Sequence, residues 1–163
     1  MKFKTYIFIF FISFSGFIFG QEKIVDSLEI KRIDSLVNII AKDSSLKKIK
    51  VKSSKIKKSK NKSKQNITAY LRNKEVVIIS SSDKNSSVNF YIDKGKMIYK
   101  WYHISEDSRM GSCGSIYGGG KNYYKENKLI ASYIHQSNDV CFPIWTQTIG
   151  FEEIYEYLKK KIK

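Results

Sequence analysis

Proline, cysteine and histidine are scarce in this sequence, and acids are half as numerous as bases. Pro143 is the single proline among 163 residues, whereas tyrosine and phenylalanine number 11 and 10. This composition argues against a disordered chain and favours β-sheet, because strands accept aromatic residues while disordered segments are rich in proline. The length suits one domain with a single core.

The shortage of acids gives a formal net charge of +15, and the excess is concentrated in residues 44–74, which hold twelve lysines or arginines and no acid. Lys57 and Lys58 lie there in a low-complexity Lys/Ser run. The run predicts either a solvated linker or point-charge binding to an anionic envelope polymer or acidic lipid headgroups. It has no arginine and no aromatic residue, which argues against base stacking and against nucleic acid as a partner.

The first 20 residues have the pattern of a secretory signal peptide. Lys2 and Lys4 precede an apolar stretch over residues 6–19, and Gly20 is a small residue at the expected cleavage position. The stretch is shorter than the roughly 20 residues that span a bilayer, and no cysteine near the junction indicates a lipid anchor. We predict cleavage after Gly20, a secreted or periplasmic mature chain, and no integral membrane span. An uncleaved anchor is the alternative.

Cys113 and Cys141 are the only two cysteines, and export would place them in an oxidising compartment. They flank the last of the hairpins described below, whose strands would bring them near each other. We therefore predict a disulfide, which in the chain-entropy treatment stabilises a loop of about 29 residues by roughly 3 kcal/mol. A reactive thiol is the alternative.

A hairpin pattern occurs twice between residues 89 and 135. An aromatic run, a polar turn with Gly or Asn and a longer apolar run make up residues 89–103, and the same order recurs in residues 122–135, one residue shorter at the turn. A fainter copy occupies residues 69–79. Gly and Asn tolerate the positive φ that hairpin turns require. Three successive hairpins predict an antiparallel meander of about six strands.

Helical periodicity marks both ends of the mature chain. The apolar positions of an N-terminal helix over residues 22–42 are Val25, Leu28, Ile33, Leu36, Val37 and Ile40. Those of a short C-terminal helix are Phe151, Ile154, Tyr155, Leu158 and Ile162. The predicted organisation is a signal peptide (1–20), an N-terminal helix (21–43), a basic Lys/Ser-rich linker (44–65) whose first part suits a lysine-blunted edge strand, and a sheet domain with the C-terminal helix (66–163). The predicted fold class is α+β.

Two details of the sheet follow from the two-residue period of a strand. In the first full hairpin, one face is predicted to hold Met97, Tyr99, Trp101 and His103. The other face is predicted to hold Ile98, Lys100 and Tyr102. The glycine-rich stretch 111–120 is predicted to be a loop or bulge leading into the next strand, since phosphate-binding glycine loops open a helix instead.

Few residues are suited to catalysis. His103 and His135 occupy matching positions in the two repeats, and with Cys113 they define the alternative hypothesis of a small metal-dependent or thiol enzyme. A third metal ligand at a recognisable spacing is missing. The neighbouring carboxylates of Glu106 and Asp107 are expected to be a solvated surface pair. We therefore predict no catalytic residues, no metal ligands and no cofactor.

The Tyr-rich strand, the Asn/Gly-Lys turn and the following Leu/Met-Ile strand of residues 69–135 resemble the repeated hairpins of small exported bacterial proteins of unassigned function. They are also similar to MORN-type repeats, without the fixed glycine spacing of those units. The resemblance implies a leading helix and a meander sheet, and it carries no functional residue over. The predicted function is a non-enzymatic binding protein, either an envelope-polymer binder or an enzyme inhibitor. Its exposed sheet face would contact an unknown protein or polymer through Tyr91, Tyr102 and Tyr124.

Overall fold

A seven-stranded antiparallel sheet carries one helix on each face. The computed structural model describes residues 26–56, 65–104, 118–136 and 150–162. The helices are α1 (Ser27–Ala41) and α2 (Phe151–Ile162). The strands are β1 (Lys47–Lys52), β2 (Asn66–Arg72), β3 (Glu75–Ser82), β4 (Ser86–Asp93), β5 (Lys96–Ile104), β6 (Gly118–Lys125) and β7 (Lys128–Gln136). The α+β class is confirmed. No helix within the described ranges is long and apolar enough to cross a membrane.

The strands lie side by side in chain order, so the sheet is a meander from β1 to β7. The predicted count of about six strands is one short, because β1 forms within the basic stretch 44–65. Four of its six residues are lysines, and a lysine-rich edge strand resists pairing with another sheet. Lys57 and Lys58 lie outside the described residues, as do the predicted signal peptide and both cysteines.

All three hairpins are built on the same two-residue turn. In each turn both residues have positive φ, and the pairs are Asn73–Lys74, Lys94–Gly95 and Glu126–Asn127. This is the requirement of type I′ turns, whose twist matches that of the paired strands. Tyr91 pairs with Tyr99, and Tyr123 pairs with Ala131, eight residues apart in both hairpins. The expectation that the last hairpin is one residue shorter at its turn is therefore wrong, because the difference in length lies before the turn.

Each hairpin also contains a one-residue bulge just after its turn. The residues left without a partner in the register are Val77, Ile98 and Ile130. A bulge places two successive residues opposite one partner and so interrupts the alternation of faces. The predicted faces of β5 are corrected accordingly: Met97 packs on the α2 side of the sheet, whereas Ile98 joins Tyr99 on the α1 side. Beyond the bulge, the predicted alternation of β5 is retained.

Helix α1 packs on the turn-side half of one face. The hairpins present tyrosines at equivalent positions towards it, and these are Tyr70, Tyr91 and Tyr123. Ile33 is fully buried against this surface and Ile40 nearly so. Leu28 corrects the predicted apolar stripe, because it is 77% exposed. Ile33 comes five positions after Leu28, which places the two side chains about 140° apart around the helix axis. Val25 lies outside the described residues.

Ion pairs hold α1 across the three hairpins, each using the residue that precedes a turn. The pairs are Lys125 with Asp26 (3.0 Å), Asp93 with Arg32 (3.9 Å) and Arg72 with Asp43 (2.7 Å). Partly exposed pairs of this kind add little stability but fix the direction of the helix. Each hairpin thus places one tyrosine beneath α1 and one charge against Arg32 of the helix or against the residues Asp26 and Asp43 that flank it.

Helix α2 covers the opposite face. Ile154 and Leu158 are fully buried among apolar side chains of β1–β4, and the ring of Phe151 lies 5.5 Å from that of Phe90. Acids occupy the first turn of α2 and lysines the last, which suits the helix dipole. The predicted C-terminal stripe is confirmed.

Candidate functional site

The half of the α1 face that lies away from the hairpin turns is covered by neither described helix. Two cross-strand rows run through it, each with one residue per strand in register from β1 to β7. The first row is Lys50, Thr68, Ser80, Asn89, Trp101, Lys121 and Tyr133. The second row is Lys52, Asn66, Ser82, Ser87, His103, Gly119 and His135. We call these two rows the open face.

The open face is polar because α1 covers the sheet only as far as the adjacent row, which lies nearer the hairpin turns. Its residues are half-buried or exposed, whereas Tyr99 and Tyr123 in the adjacent row are buried. Neighbouring strands lie about 4.8 Å apart, so seven strands form a platform about 29 Å long. A small compact molecule would contact only part of such a platform. The shape therefore suits an extended partner that lies across the strands.

Charge on the open face has one sign. Lys50 and Lys52 stand at its β1 end and Lys121 near its β7 end, and neither row contains an aspartate or a glutamate. Asp83 follows the second row in the β3–β4 turn. Its Oδ1 accepts bonds from the amide (2.7 Å) and hydroxyl (2.9 Å) of Ser86, so this carboxylate is engaged in closing the turn. The platform accordingly presents positive charge and neutral hydrogen-bonding groups.

Aromatic and imidazole rings gather at the β5–β7 end of the open face. The indole of Trp101 lies parallel to the ring of His103, with centroids 6.1 Å apart and planes inclined by 11°. The Nζ of Lys121 lies 5.4 Å from the ring centre of Tyr133. Trp101 is 39% exposed and Tyr133 is 44% exposed. These rings are held by their neighbours yet remain accessible, as expected of a preformed contact surface.

Gly119 and Gly120 of β6 lie where a Cβ would collide with neighbouring atoms. A Cβ on Gly119 would come 2.6 Å from the carbonyl oxygen of Tyr102 and 3.6 Å from Nδ1 of His103. One on Gly120 would come 2.5 Å from the Tyr102 hydroxyl on the other face. Residues 118–120 thus belong to a strand, which corrects the predicted loop over 111–120 for its last three residues. Residues 111–117 lie outside the described ranges.

The three tyrosines predicted to form a binding surface do not share one face. Tyr91 lies half-buried next to α1, where burial raises its pKa and its ring is 5.5 Å from that of Tyr99. Tyr102 packs on the α2 side, where burial and then the nearby Tyr124 raise its pKa. The structure thus separates Tyr91 from the other two, and none of the three belongs to the open face.

His103 and His135 are brought into one row, on either side of Gly119. Two imidazoles do not complete a metal centre. The described part of the chain contains no group of three or more His, Cys, Asp or Glu that could hold a metal ion. Cys113, the third residue of the enzyme hypothesis, lies outside it. Nothing in the described residues positively indicates an enzyme.

The sequence pointed to the two histidines and placed Trp101 on the same strand face as His103, but it did not reveal the rows that contain them. A row consists of residues far apart in the chain, which come together only when the register of every strand pair is known. One signal was present: β2, β3 and β4 each carry polar residues at alternate positions towards the end distant from the hairpin turns. Those residues are Asn66 and Thr68, Ser80 and Ser82, and Ser87 and Asn89.

No protein-family model, no curated protein and no solved structure matches this chain. The open face is therefore interpreted from its own chemistry.

Proposed function

We propose that this protein is a non-enzymatic binding module that acts outside the cytoplasm and holds an extended partner on its open face. The observation that carries the proposal is the pair of cross-strand rows. They combine accessible aromatic rings, neutral hydrogen-bonding groups and lysines. Side chains mounted on strands are positioned more rigidly than those on loops, which favours recognition without rearrangement.

Core packing accounts for only part of the aromatic surface of the open face. Trp101 belongs to no apolar cluster beneath α1, and Tyr133, whose ring meets that of buried Tyr123 edge-on at 5.7 Å, is still 44% exposed. Tryptophan and tyrosine are the residues most enriched among those that dominate binding energy at interfaces. Their place beside Lys121 and His103, on an otherwise hydroxyl-rich surface, supports a role in contacting a partner.

Export and a Cys113–Cys141 disulfide form part of the proposal. Gly118 pairs with Gln136 at the open end of the β6–β7 hairpin. Cys113 precedes Gly118 by five residues, and Cys141 follows Gln136 by five. Equal lengths of chain therefore join each cysteine to this pair of residues, which favours contact between the two thiols.

Intact mass of the protein exported from its own signal, measured after thiol alkylation without reductant, tests both points. The expected mass begins at Gln21 and shows no added alkyl group. Retention of residues 1–20 would contradict cleavage. Two added alkyl groups would contradict the disulfide and would strengthen the thiol-enzyme alternative.

A double substitution, Trp101→Ala with Tyr133→Ala, tests the open face. In a co-sedimentation assay, the affinity of this variant for an isolated bacterial cell-envelope fraction should fall about tenfold or more, because two large contact surfaces are removed. Ile134→Ala is the matched control: Ile134 follows Tyr133 in β7, is 55% exposed, and points to the opposite face.

Circular dichroism must show that the double variant is folded. The control should sediment like the unchanged protein. Equal sedimentation of the double variant and the unchanged protein would contradict the proposal that the open face binds.

A further inference from the structure

We infer that the partner of the open face is an extended polysaccharide that carries anionic groups and lies along the two rows, across the seven strands. This inference rests on the proposed function and names its ligand class. Three features of the platform support it: the charges at its two ends, the hydroxyl and amide groups in its middle, and the rings near β7.

The charges favour a repeating anion. Lys50 and Lys52 on β1 are separated from Lys121 on β6 by five strand spacings, or about 24 Å. A single small anion cannot meet both ends, whereas a polymer with charges along its length meets them together. No carboxylate belongs to either row, so nothing on the platform repels such a chain.

The middle of the platform favours a sugar polymer over a protein surface. Between the lysines and the rings, the two rows carry hydroxyl and amide side chains, namely Thr68, Ser80, Asn89, Asn66, Ser82 and Ser87. Each of these groups both donates and accepts hydrogen bonds, as sugar hydroxyls do. A stable protein interface instead has an apolar centre with a polar rim. The open face lacks such a centre: its middle is polar, and its apolar rings lie at one end.

The rings at the β7 end complete the match. A pyranose ring presents C–H hydrogens on one side, and these pack against the electron-rich face of an indole or phenol. Trp101 and Tyr133 are both accessible for such contacts, and Lys121 lies beside Tyr133. A lipid surface fits less well, because membrane-surface binding needs an apolar face that enters the headgroup region. Single-stranded nucleic acid fits less well, because it needs rings along the whole path of the strand.

The experiment measures binding of the full mature chain to three polymers of similar length by isothermal calorimetry. Alginate carries a carboxylate on every sugar, dextran is an uncharged polysaccharide, and poly-L-glutamate carries the charge without the sugar. Alginate should bind about tenfold more tightly than either of the others, because it alone offers both C–H faces and charges. Raising the salt from about 0.05 M to about 0.5 M should weaken alginate binding, since it screens the lysine contacts.

Two pairs of variants assign the contacts. Lys50→Gln should weaken alginate binding about threefold, whereas Lys47→Gln, on the opposite face of the same strand, should leave it unchanged. Trp101→Ala should weaken alginate binding without changing the weak binding of poly-L-glutamate. Ile134→Ala should alter neither.

Equal binding of alginate and poly-L-glutamate would overturn the inference, because charge alone would explain it. Equal binding of alginate and dextran would overturn it as well, because the lysines would play no part. The chain could bind none of the three polymers while the Trp101→Ala, Tyr133→Ala double variant still showed reduced binding to the envelope fraction. The open face would then remain a binding site, and only the ligand class would be wrong. If the double variant kept both kinds of binding, the proposed function itself would fail.

Discussion

Replacing Ile33 or Leu158 by alanine should lower the free energy of unfolding by about 2 to 5 kcal/mol in each case. Both side chains are fully buried at the centre of a helix–sheet contact, Ile33 on the sheet-facing side of α1 and Leu158 on that of α2. Alanine removes buried apolar surface and leaves a cavity that surrounding strands cannot fully close. Urea unfolding followed by circular dichroism measures the change.

The double variant tests whether the two helix layers are independent. The helices lie on opposite faces of the sheet and their buried residues share no cluster, so the two losses should add to within about 0.5 kcal/mol. Ile39→Ala is the matched control on α1, because Ile39 is 57% exposed and should change the stability by less than about 0.5 kcal/mol. An unchanged urea midpoint for Ile33→Ala would show that α1 does not dock on the sheet. The helix would then not mark the limit of the open face.

The hairpins and the C-terminal helix could be predicted because their signals are local. Gly95 and Asn127 mark the positions of two turns, although not their exact length, and the apolar stripe of α2 repeats with the helical period. Both signals lie within a short window of sequence. No knowledge of the partner strand or of the layer above is needed to recognise them.

The sides of Met97 and Ile98 at the start of β5 could not be predicted, because they depend on a bulge. The alternation of Met97 and Ile98 in the sequence is compatible with a regular strand, and one unpaired residue after the turn reverses their sides. The twist of a type I′ hairpin and the packing of α1 decide where that residue lies, and neither is written in the strand itself. The same limit applies to β1, where lysines suit a strand edge and a linker equally well.

The candidate site was only partly visible for a related reason. Trp101, His103 and His135 are rare residue types in this sequence, and the matching repeat positions of the two histidines suggested that they lie close together. The serines, threonine and asparagines that give the platform its character are ordinary in loops and strands alike. Their significance comes from the register of six strand pairs and from the place where α1 ends.

Raising the pH from about 10 to 12 should sharply destabilise the protein through the tyrosines next to α1. Tyr91, Tyr99 and Tyr123 stand in register on β4, β5 and β6, with successive ring centroids 5.5 Å and 5.2 Å apart. Burial, assisted by the Asp34 carboxylate, raises the pKa of Tyr99 to about 12. Burial and a 2.7 Å hydrogen bond donated to Asp34 Oδ1 raise the pKa of Tyr123 as well.

The sign of the effect follows from the protons bound in each state. Above about pH 10 the unfolded chain loses its tyrosine protons, whereas the folded chain keeps them, so the folded state binds more protons and stability falls as pH rises. Below about pH 10 the contribution is fully present. For Tyr99 alone, the loss should approach about 2 kcal/mol by pH 12.

Two phenylalanine variants separate the tyrosine contribution to the pH dependence of stability from that of the lysines. The lysine contribution is common to all forms of the protein. Tyr123→Phe should be less stable than the unchanged protein at neutral pH by about 1 kcal/mol, since it lacks the bond to Asp34. It should nevertheless lose less stability between about pH 10 and 12, because one proton fewer is released on unfolding. Parallel slopes for Tyr99→Phe, Tyr123→Phe and the unchanged protein would show that these hydroxyls are not shielded by α1, and the helix could not then be the boundary that leaves the open face accessible.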